Sequence, residues 1–96
     1  MRIKLDSCDL SAVINGLYTM RNNYDASTKY YINDLTLRLI DIHDNLNPRR
    51  KAKIKLDGSE QSIILHCLVD WRNQFIQEGK PSAAEGVGEL ILKIAG

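Results

Sequence analysis

An internal repeat limits the folds available to this chain more than any other sequence feature. When the 96 residues are aligned with themselves at an offset of 51, Ile3-Lys4-Leu5-Asp6 falls on Ile54-Lys55-Leu56-Asp57. Nine positions between residues 3 and 29 are identical in the two copies, and many of the remaining positions pair residues of the same kind. A repeat of this kind indicates two copies of one supersecondary unit that bury their apolar faces against each other.

Each copy opens with a short stretch in which polar and apolar residues alternate, as in a half-buried strand. Four residues are too few to form a strand alone, but the two copies could pair as a small two-stranded ribbon. An aspartate follows in each copy, at Asp6 and Asp57, and an acidic residue stands three positions later, at Asp9 and Glu60. This spacing predicts a helix N-terminus with a capping box.

Apolar residues at steps of three and four predict two helices in each copy. Ser27 and Ser82 are the expected N-caps of the second and fourth helices. Gly86 and Gly88 weaken the last helix, and they could permit a close helix crossing. The four helices are expected over about residues 7–24, 28–46, 59–77 and 83–95. Their core-facing residues are predicted to be Leu10, Val13, Ile14, Leu17, Met20 or Tyr24, Ile32, Leu35, Leu39, Ile42, Leu46, Ile64, Leu65, Leu68, Trp71, Phe75, Val87, Leu90, Ile91 and Ile94.

The expected fold is therefore mainly α. Two αα-hairpins would pack about a pseudo-two-fold axis as a four-helix bundle, with the small β-ribbon added where the strands pair. We expect a single domain over residues 1–96, with repeat unit one at 1–46, a basic linker at 47–53 and repeat unit two at 54–96. A homodimer could bury the same apolar faces, so the sequence leaves both a monomer and a homodimer open.

Composition favours a cytoplasmic globular protein. Apolar residues make up 44% of the chain and charged residues 26%, which are ordinary fractions for a folded domain. No run of about 18 apolar residues is present, and no apolar stretch follows the N-terminus, so neither a membrane segment nor a secretory leader is expected. The two cysteines, Cys8 and Cys67, are compatible with a reducing compartment, and they belong to no zinc-binding motif.

The sequence carries no motif that indicates an enzyme. It has no glycine-rich phosphate loop, no paired-histidine zinc helix and no nucleophile elbow. His43 lies among aspartates and could join a loose metal site, but the same residues fit the solvated face of a helix better. A pair formed by Cys8 and His66 would need a thiolate-favouring surrounding, which nothing in the sequence indicates. We expect no catalysis, no cofactor and no metal.

A basic stretch is the densest cluster of charge. It holds five cations and no acid between Asn47 and Leu56, while the rest of the chain sums to −4. One interpretation is a contact with nucleic acid or with an acidic protein surface. The other is a solvated loop and an edge strand protected by lysines, which the sequence favours because nucleic-acid modules usually have broader basic faces. The candidate binding residues are Arg49, Arg50, Lys51, Lys53 and Lys55.

A second polar feature is repeated in the two units. Arg21-Asn22 and Arg72-Asn73 both lie near the end of the first helix of their unit. Two-fold packing could bring the arginines to equivalent sites, where they would recognise a small anionic ligand such as a nucleotide. The interpretation favoured by the sequence is that each arginine binds carbonyl groups at the end of its own helix.

Several stretches of the second unit give the chain a resemblance to known sequences. Ile54 to Asp57, Trp71-Arg72-Asn73, Glu78-Gly79-Lys80 and Leu90 to Lys93 together resemble small uncharacterised proteins of bacteriophages and other mobile elements. The resemblance covers the second unit well and the first more loosely. It implies a bacterial cytosol and binding to host machinery, and it assigns no functional residue.

These observations predict a non-catalytic interaction protein. The leading hypothesis is a phage-encoded or mobile-element-encoded inhibitor or modulator of a bacterial host protein, of the kind that counters host defence. One alternative is a nucleic-acid-binding module that uses residues 49–55. The other is a binder of small anionic ligands at Arg21 and Arg72.

Overall fold

The computed structural model describes residues 2–96, which form four α-helices and one two-stranded antiparallel sheet. A 3₁₀ turn at Arg21–Asn23 separates the first two helices. The order strand–helix–helix therefore occurs twice, and the predictions of a mainly helical chain and of a ribbon are confirmed. The elements are β1 (Arg2–Leu5), α1 (Ser7–Met20), α2 (Ala26–Asp44), β2 (Ala52–Lys55), α3 (Gly58–Gln77) and α4 (Pro81–Ala95).

The ribbon joins the first strand of one repeat to the first strand of the other. Ile3 lies opposite Ile54, and Leu5 lies opposite Ala52. Ile3, Leu5 and Ile54 are buried against the helices. Because successive residues of a strand point to opposite faces, the residues between them point outward. The alternating sequence pattern therefore corresponds to a half-buried two-stranded ribbon, as predicted.

Both predicted capping boxes are present. The carboxylate of Asp6 accepts a hydrogen bond of 2.7 Å from the backbone N–H of Asp9, and the Asp9 carboxylate accepts one of 3.4 Å in return. Asp57 and Glu60 make the same pair of bonds at 2.7 and 3.0 Å. A capping box satisfies two of the backbone donors that a helix N-terminus leaves free, so these four residues set where α1 and α3 begin.

The predicted N-caps of the other two helices are wrong. Asp25 caps α2, and its carboxylate accepts a bond of 2.9 Å from the backbone N–H of Thr28, so Ser27 lies inside the first turn. The helix α4 begins at Pro81, one residue before Ser82. Proline suits this first helical position because its fixed φ is already helical and its missing N–H is not needed there.

The helices α1 and α3 cross closely at Gly16. A Cβ atom at this position would lie 3.0 Å from Leu68 Cδ2 and 3.0 Å from Trp71 Cε3. By contrast, nothing lies within 4 Å of a Cβ placed on Gly86, and the nearest atom to one on Gly88 is 3.9 Å away. The prediction of a close crossing at Gly86 and Gly88 is therefore wrong, since the close contact belongs to α1.

The core lies beneath the ribbon and between the helices, where α1 packs on α2 and α3, and α3 packs on α4. Most residues predicted to face the core are buried there. Residues of the ribbon and its continuation join them, namely Ile3, Leu5, Ile54 and Leu56. The predicted core residues that remain partly exposed are Ile14, Tyr24, Ile42, Leu46, Leu65, Trp71, Phe75 and Ile91.

Two ion pairs cross between the repeats. Arg38, on the second helix of unit one, pairs with Glu60 on the first helix of unit two. Lys93, on the second helix of unit two, lies 3.2 Å from Asp9 on the first helix of unit one. Asp9 and Glu60, the acids at the third position of each capping box, therefore also bind a cation from the opposite repeat. The hydrogen bond to Asp9 raises the pKa of Lys93. None of the helices within residues 2–96 is long and apolar enough to cross a membrane.

Candidate nucleic-acid interface

The outer face of the ribbon consists entirely of basic residues. Arg2 and Lys4 are exposed on β1, and Lys53 and Lys55 are exposed on β2. They point outward because the isoleucines and Leu5, at alternate positions, point into the core. We refer to these four residues as the basic ribbon face. Its geometry is a direct consequence of period-two alternation in two paired strands.

The cations of this face lie directly opposite one another. Arg2 is paired with Lys55, and Lys4 is paired with Lys53. Among the described residues, none of the four has an acidic group within 4.0 Å. Like charges that lie directly opposite each other across two strands destabilise the pairing. An anion bound over the ribbon would remove this repulsion.

Three further cations lie beside the ribbon. Arg49, Arg50 and Lys51 are exposed in the connection that leads into β2. Asn47 holds the turn, because its side-chain Oδ1 accepts a bond of 3.0 Å from the backbone N–H of Arg49 and its carbonyl accepts one of 2.9 Å from Arg50. These three residues and the basic ribbon face together form the basic surface.

The charge of Lys51 acts on the carboxylate of Asp6, the residue that follows β1. The pKa of Asp6 is lowered, first by the hydrogen bond from the Asp9 backbone and further by the positive charges of Lys93 and Lys51. Asp6 immediately follows β1, so Lys51 contributes charge at the edge of the ribbon. The connection and the ribbon therefore form a continuous positive region.

The charge of the molecule is strongly divided. The chain has thirteen lysine and arginine residues and twelve acids, and seven of the thirteen belong to the basic surface. The rest of the molecule contains the other six basic residues and all twelve acids, so its charge is −6. A formal net charge of +1 conceals this separation. Such a divided charge orients the protein toward a polyanion during approach.

The structure brings the predicted basic residues together and adds two that the sequence reasoning missed. Residues 49–51, Lys53 and Lys55 lie in one region, and Arg2 and Lys4 complete it. The repeat alignment contained a signal for both missed residues. An offset of 51 places Arg2 on Lys53 and Lys4 on Lys55. Strand pairing between the copies was needed to put all four on one face.

The two repeated arginines lie in different surroundings. Arg21 donates a hydrogen bond to the carbonyl of Tyr18, and its guanidinium lies 3.7 Å from the centroid of the Tyr18 ring. This is the helix-end role that the sequence favoured. Arg72 lies on α3 beside α4, and its buried Nε has no hydrogen-bond partner. The described contacts do not join Arg21 and Arg72 in one anion site.

The cysteine and histidine side chains do not come together as a nucleophile and a base. Cys67 is buried, and burial raises the pKa of its thiol to about 11. Cys8 is exposed, and both cysteines are free. The His43 Nε2 atom lies 3.3 Å from the Ser11 hydroxyl. Within residues 2–96, no three histidine, cysteine or acidic residues are grouped so that they could hold a metal ion.

The chain matches no known protein family, and the searches found no similar protein among characterised proteins or among solved structures.

Proposed function

We propose that this chain is a non-catalytic protein that binds double-stranded DNA, with its two-stranded ribbon in the major groove. The observation that carries the proposal is the basic ribbon face, in which cations stand directly opposite cations and have no acidic partners. A phosphate backbone provides the negative potential that such a face lacks.

The dimensions of the ribbon favour a duplex. The major groove of B-DNA is about 12 Å wide and admits a two-stranded ribbon. Paired strands lie about 4.8 Å apart, and four residues span about 13 Å, so the ribbon fits within the groove. Arg49, Arg50 and Lys51 would then contact the phosphates beside it. No aromatic residue belongs to the described ribbon, so the face lacks the stacking platforms typical of single-strand binding.

The symmetry of the ribbon favours an approximately palindromic target. Ile3 and Ile54 are paired across the strands, and they are also equivalent in the repeat alignment. A pseudo-two-fold axis through this pair exchanges Arg2 with Lys53 and Lys4 with Lys55. A protein with two-fold symmetry places equivalent groups on two half-sites of a duplex. We infer that the four helices form a bundle that supports the ribbon from behind.

A salt titration with matched variants tests the proposal. Fluorescence anisotropy would measure binding to a labelled duplex of mixed sequence. Affinity should fall steeply with salt, with a slope of about −0.9 for each phosphate contacted. The double variant Lys4→Ala/Lys53→Ala should bind more weakly, because it removes one cation from each strand of the basic ribbon face.

The control is Lys29→Ala/Lys80→Ala, which removes the same charge from two repeat-equivalent positions outside the ribbon. Its binding should match that of the unsubstituted protein. If the unsubstituted protein does not bind duplex at low salt, or if the control loses as much affinity as Lys4→Ala/Lys53→Ala, the proposal is wrong.

A protein partner is the second candidate function, and exposed apolar residues on α2 favour it. Tyr30 is 78% exposed and Leu37 is 67% exposed, and their spacing of seven places them on one side of the helix. Under this proposal the chain is a phage-encoded inhibitor that binds a bacterial host protein in the cytoplasm. Capture of one defined host protein by the unsubstituted chain, and its loss in Tyr30→Ser/Leu37→Ser, would support this candidate.

A further inference from the structure

A groove between α3 and α4 is lined by apolar residues that point outward. It encloses about 620 Å³ and includes Ile76 from α3 and Leu92 from α4. Ile76 is 58% exposed and Leu92 is 73% exposed. Isolated apolar side chains on a surface need no explanation, but two that share one groove form a patch typical of protein contacts. We refer to this region as the α3–α4 groove.

The same groove contains charges of both signs that form no ion pair within 4.0 Å among the described residues. The Nε–H group of Arg72 is buried and donates a hydrogen bond to none of the described residues. Glu85 and Glu89 also line the groove, and neither takes part in any described ion pair or hydrogen bond. Arg72 is half-buried and forms no ion pair with the described residues, so its charge is not neutralised within a single copy of the chain.

We propose that the α3–α4 groove is an interface between two copies of this chain. In a two-fold dimer the same patch lies on both sides, so a residue contacts its complement and is contacted in return. Arg72 of one copy would face Glu85 and Glu89 of the other, and the reverse pairing would follow by symmetry. Ile76 and Leu92 would supply the apolar contacts of the interface.

The mixture of charges favours a second copy over another partner. An acidic peptide would satisfy Arg72 but would be repelled by Glu85 and Glu89. A purely apolar peptide would leave the charge of Arg72 without an anion and would cover two carboxylates. A second copy supplies an acid for the arginine, an arginine for the acids and an apolar surface for Ile76 and Leu92.

The interface and the basic surface use different residues. Arg72 lies fourteen residues after the start of α3 at Gly58, which corresponds to about 20 Å along the helix at 1.5 Å per residue. The ribbon lies at that start, because β2 ends at Lys55. Self-association and the proposed DNA binding therefore depend on different side chains, and either could fail without the other.

Charge reversal with mixing tests the dimer. Light scattering after size-exclusion chromatography should give a mass that rises with concentration toward twice the chain mass of 10.9 kDa. Arg72→Glu should remain monomeric because acids would face acids, and Glu85→Arg/Glu89→Arg should remain monomeric because arginines would face arginines. An equimolar mixture of the two variants should return to twice the chain mass, because each charge then meets its opposite.

The matched control is Arg21→Glu, which reverses the repeat-equivalent arginine outside the groove and should dimerise normally. Leu92→Lys provides a second disrupting variant, and it should fold because Leu92 is largely exposed. The proposal is overturned if the unsubstituted protein is monomeric up to its solubility limit. It is equally overturned if Leu92→Lys dimerises normally, or if the mixture of folded charge-reversed variants remains monomeric.

Discussion

At the residue scale, the two cysteines differ sharply in their surroundings. Cys67 is buried in α3 with a thiol pKa raised to about 11, whereas Cys8 is exposed on α1. Thiol reagents attack the thiolate, so a buried thiol with a high pKa reacts slowly at neutral pH. We predict that an alkylating reagent modifies one thiol per chain in the native protein and two in the unfolded protein. Alkylation followed by mass spectrometry measures the number.

Substitution of each cysteine identifies the reactive site. Cys8→Ser should abolish modification of the native protein, and Cys67→Ser should leave it unchanged. Rapid alkylation of Cys67 in native protein would contradict its placement in a closed core. Cys67 would then lie on a segment that opens easily.

At the element scale, Gly16 and Gly86 allow a paired experiment on helix glycines. Alanine is favoured over glycine inside a helix by about 1 kcal/mol, so Gly86→Ala should raise the free energy of unfolding by about that amount. At Gly16 the new methyl would lie 3.0 Å from Leu68 and Trp71, and overpacking costs about 1–3 kcal/mol. We therefore predict that Gly16→Ala lowers the free energy of unfolding.

Urea denaturation of the two variants measures both changes relative to the unsubstituted protein. The comparison isolates packing, because the gain in helix propensity is the same at the two positions. If Gly16→Ala were stabilising by the same amount as Gly86→Ala, α1 and α3 would not cross as closely as the structure has them.

Local chemistry explains which elements could be predicted from the sequence. The capping boxes and strand alternation act between residues at most three apart, so Asp6 and Asp57 could be assigned directly. The N-cap of α2 could not, because Asp25 and Ser27 are both good caps and the short 3₁₀ turn before them decides which is used. At α4, the preference of proline for the first helical position determined the start.

The candidate site was predictable only in part, for a physical reason. The basic residues at 49–55 are adjacent in sequence, but Arg2 and Lys4 join them only through strand pairing across fifty residues. The cross-repeat ion pair from Arg38 to Glu60 has the same origin. Contacts of this kind depend on how one repeat packs on the other, which periodicity within a helix does not specify.

At the scale of the whole molecule, the connection between the repeats is exposed, whereas the repeats themselves pack against each other. Arg49, Arg50 and Lys51 lie in this connection, and each is a site for trypsin. The other basic residues of the described chain lie in or beside helices and paired strands. We predict that limited trypsin treatment cuts first after one of these three residues. Peptide masses identify the bond that is cut.

The cut protein should remain one particle under native conditions. The ribbon, the contact between α1 and α3 and the two crossed ion pairs all join one half to the other. Size-exclusion chromatography should show the same elution volume before and after cleavage, and the halves should separate only in denaturant. Separation of the halves in native buffer would mean that the connection itself holds the repeats together.

The two strands of the ribbon belong to a single chain, and this has a consequence for orientation. Identical subunits around a two-fold axis must present the same residue at both equivalent positions. One continuous chain is free of this constraint, and Arg2 already differs from its equivalent, Lys53. Arginine can bind guanine through two hydrogen bonds, whereas lysine acts as a point charge. On DNA, the protein could therefore distinguish the two half-sites of an imperfect palindrome and bind it in only one of the two orientations.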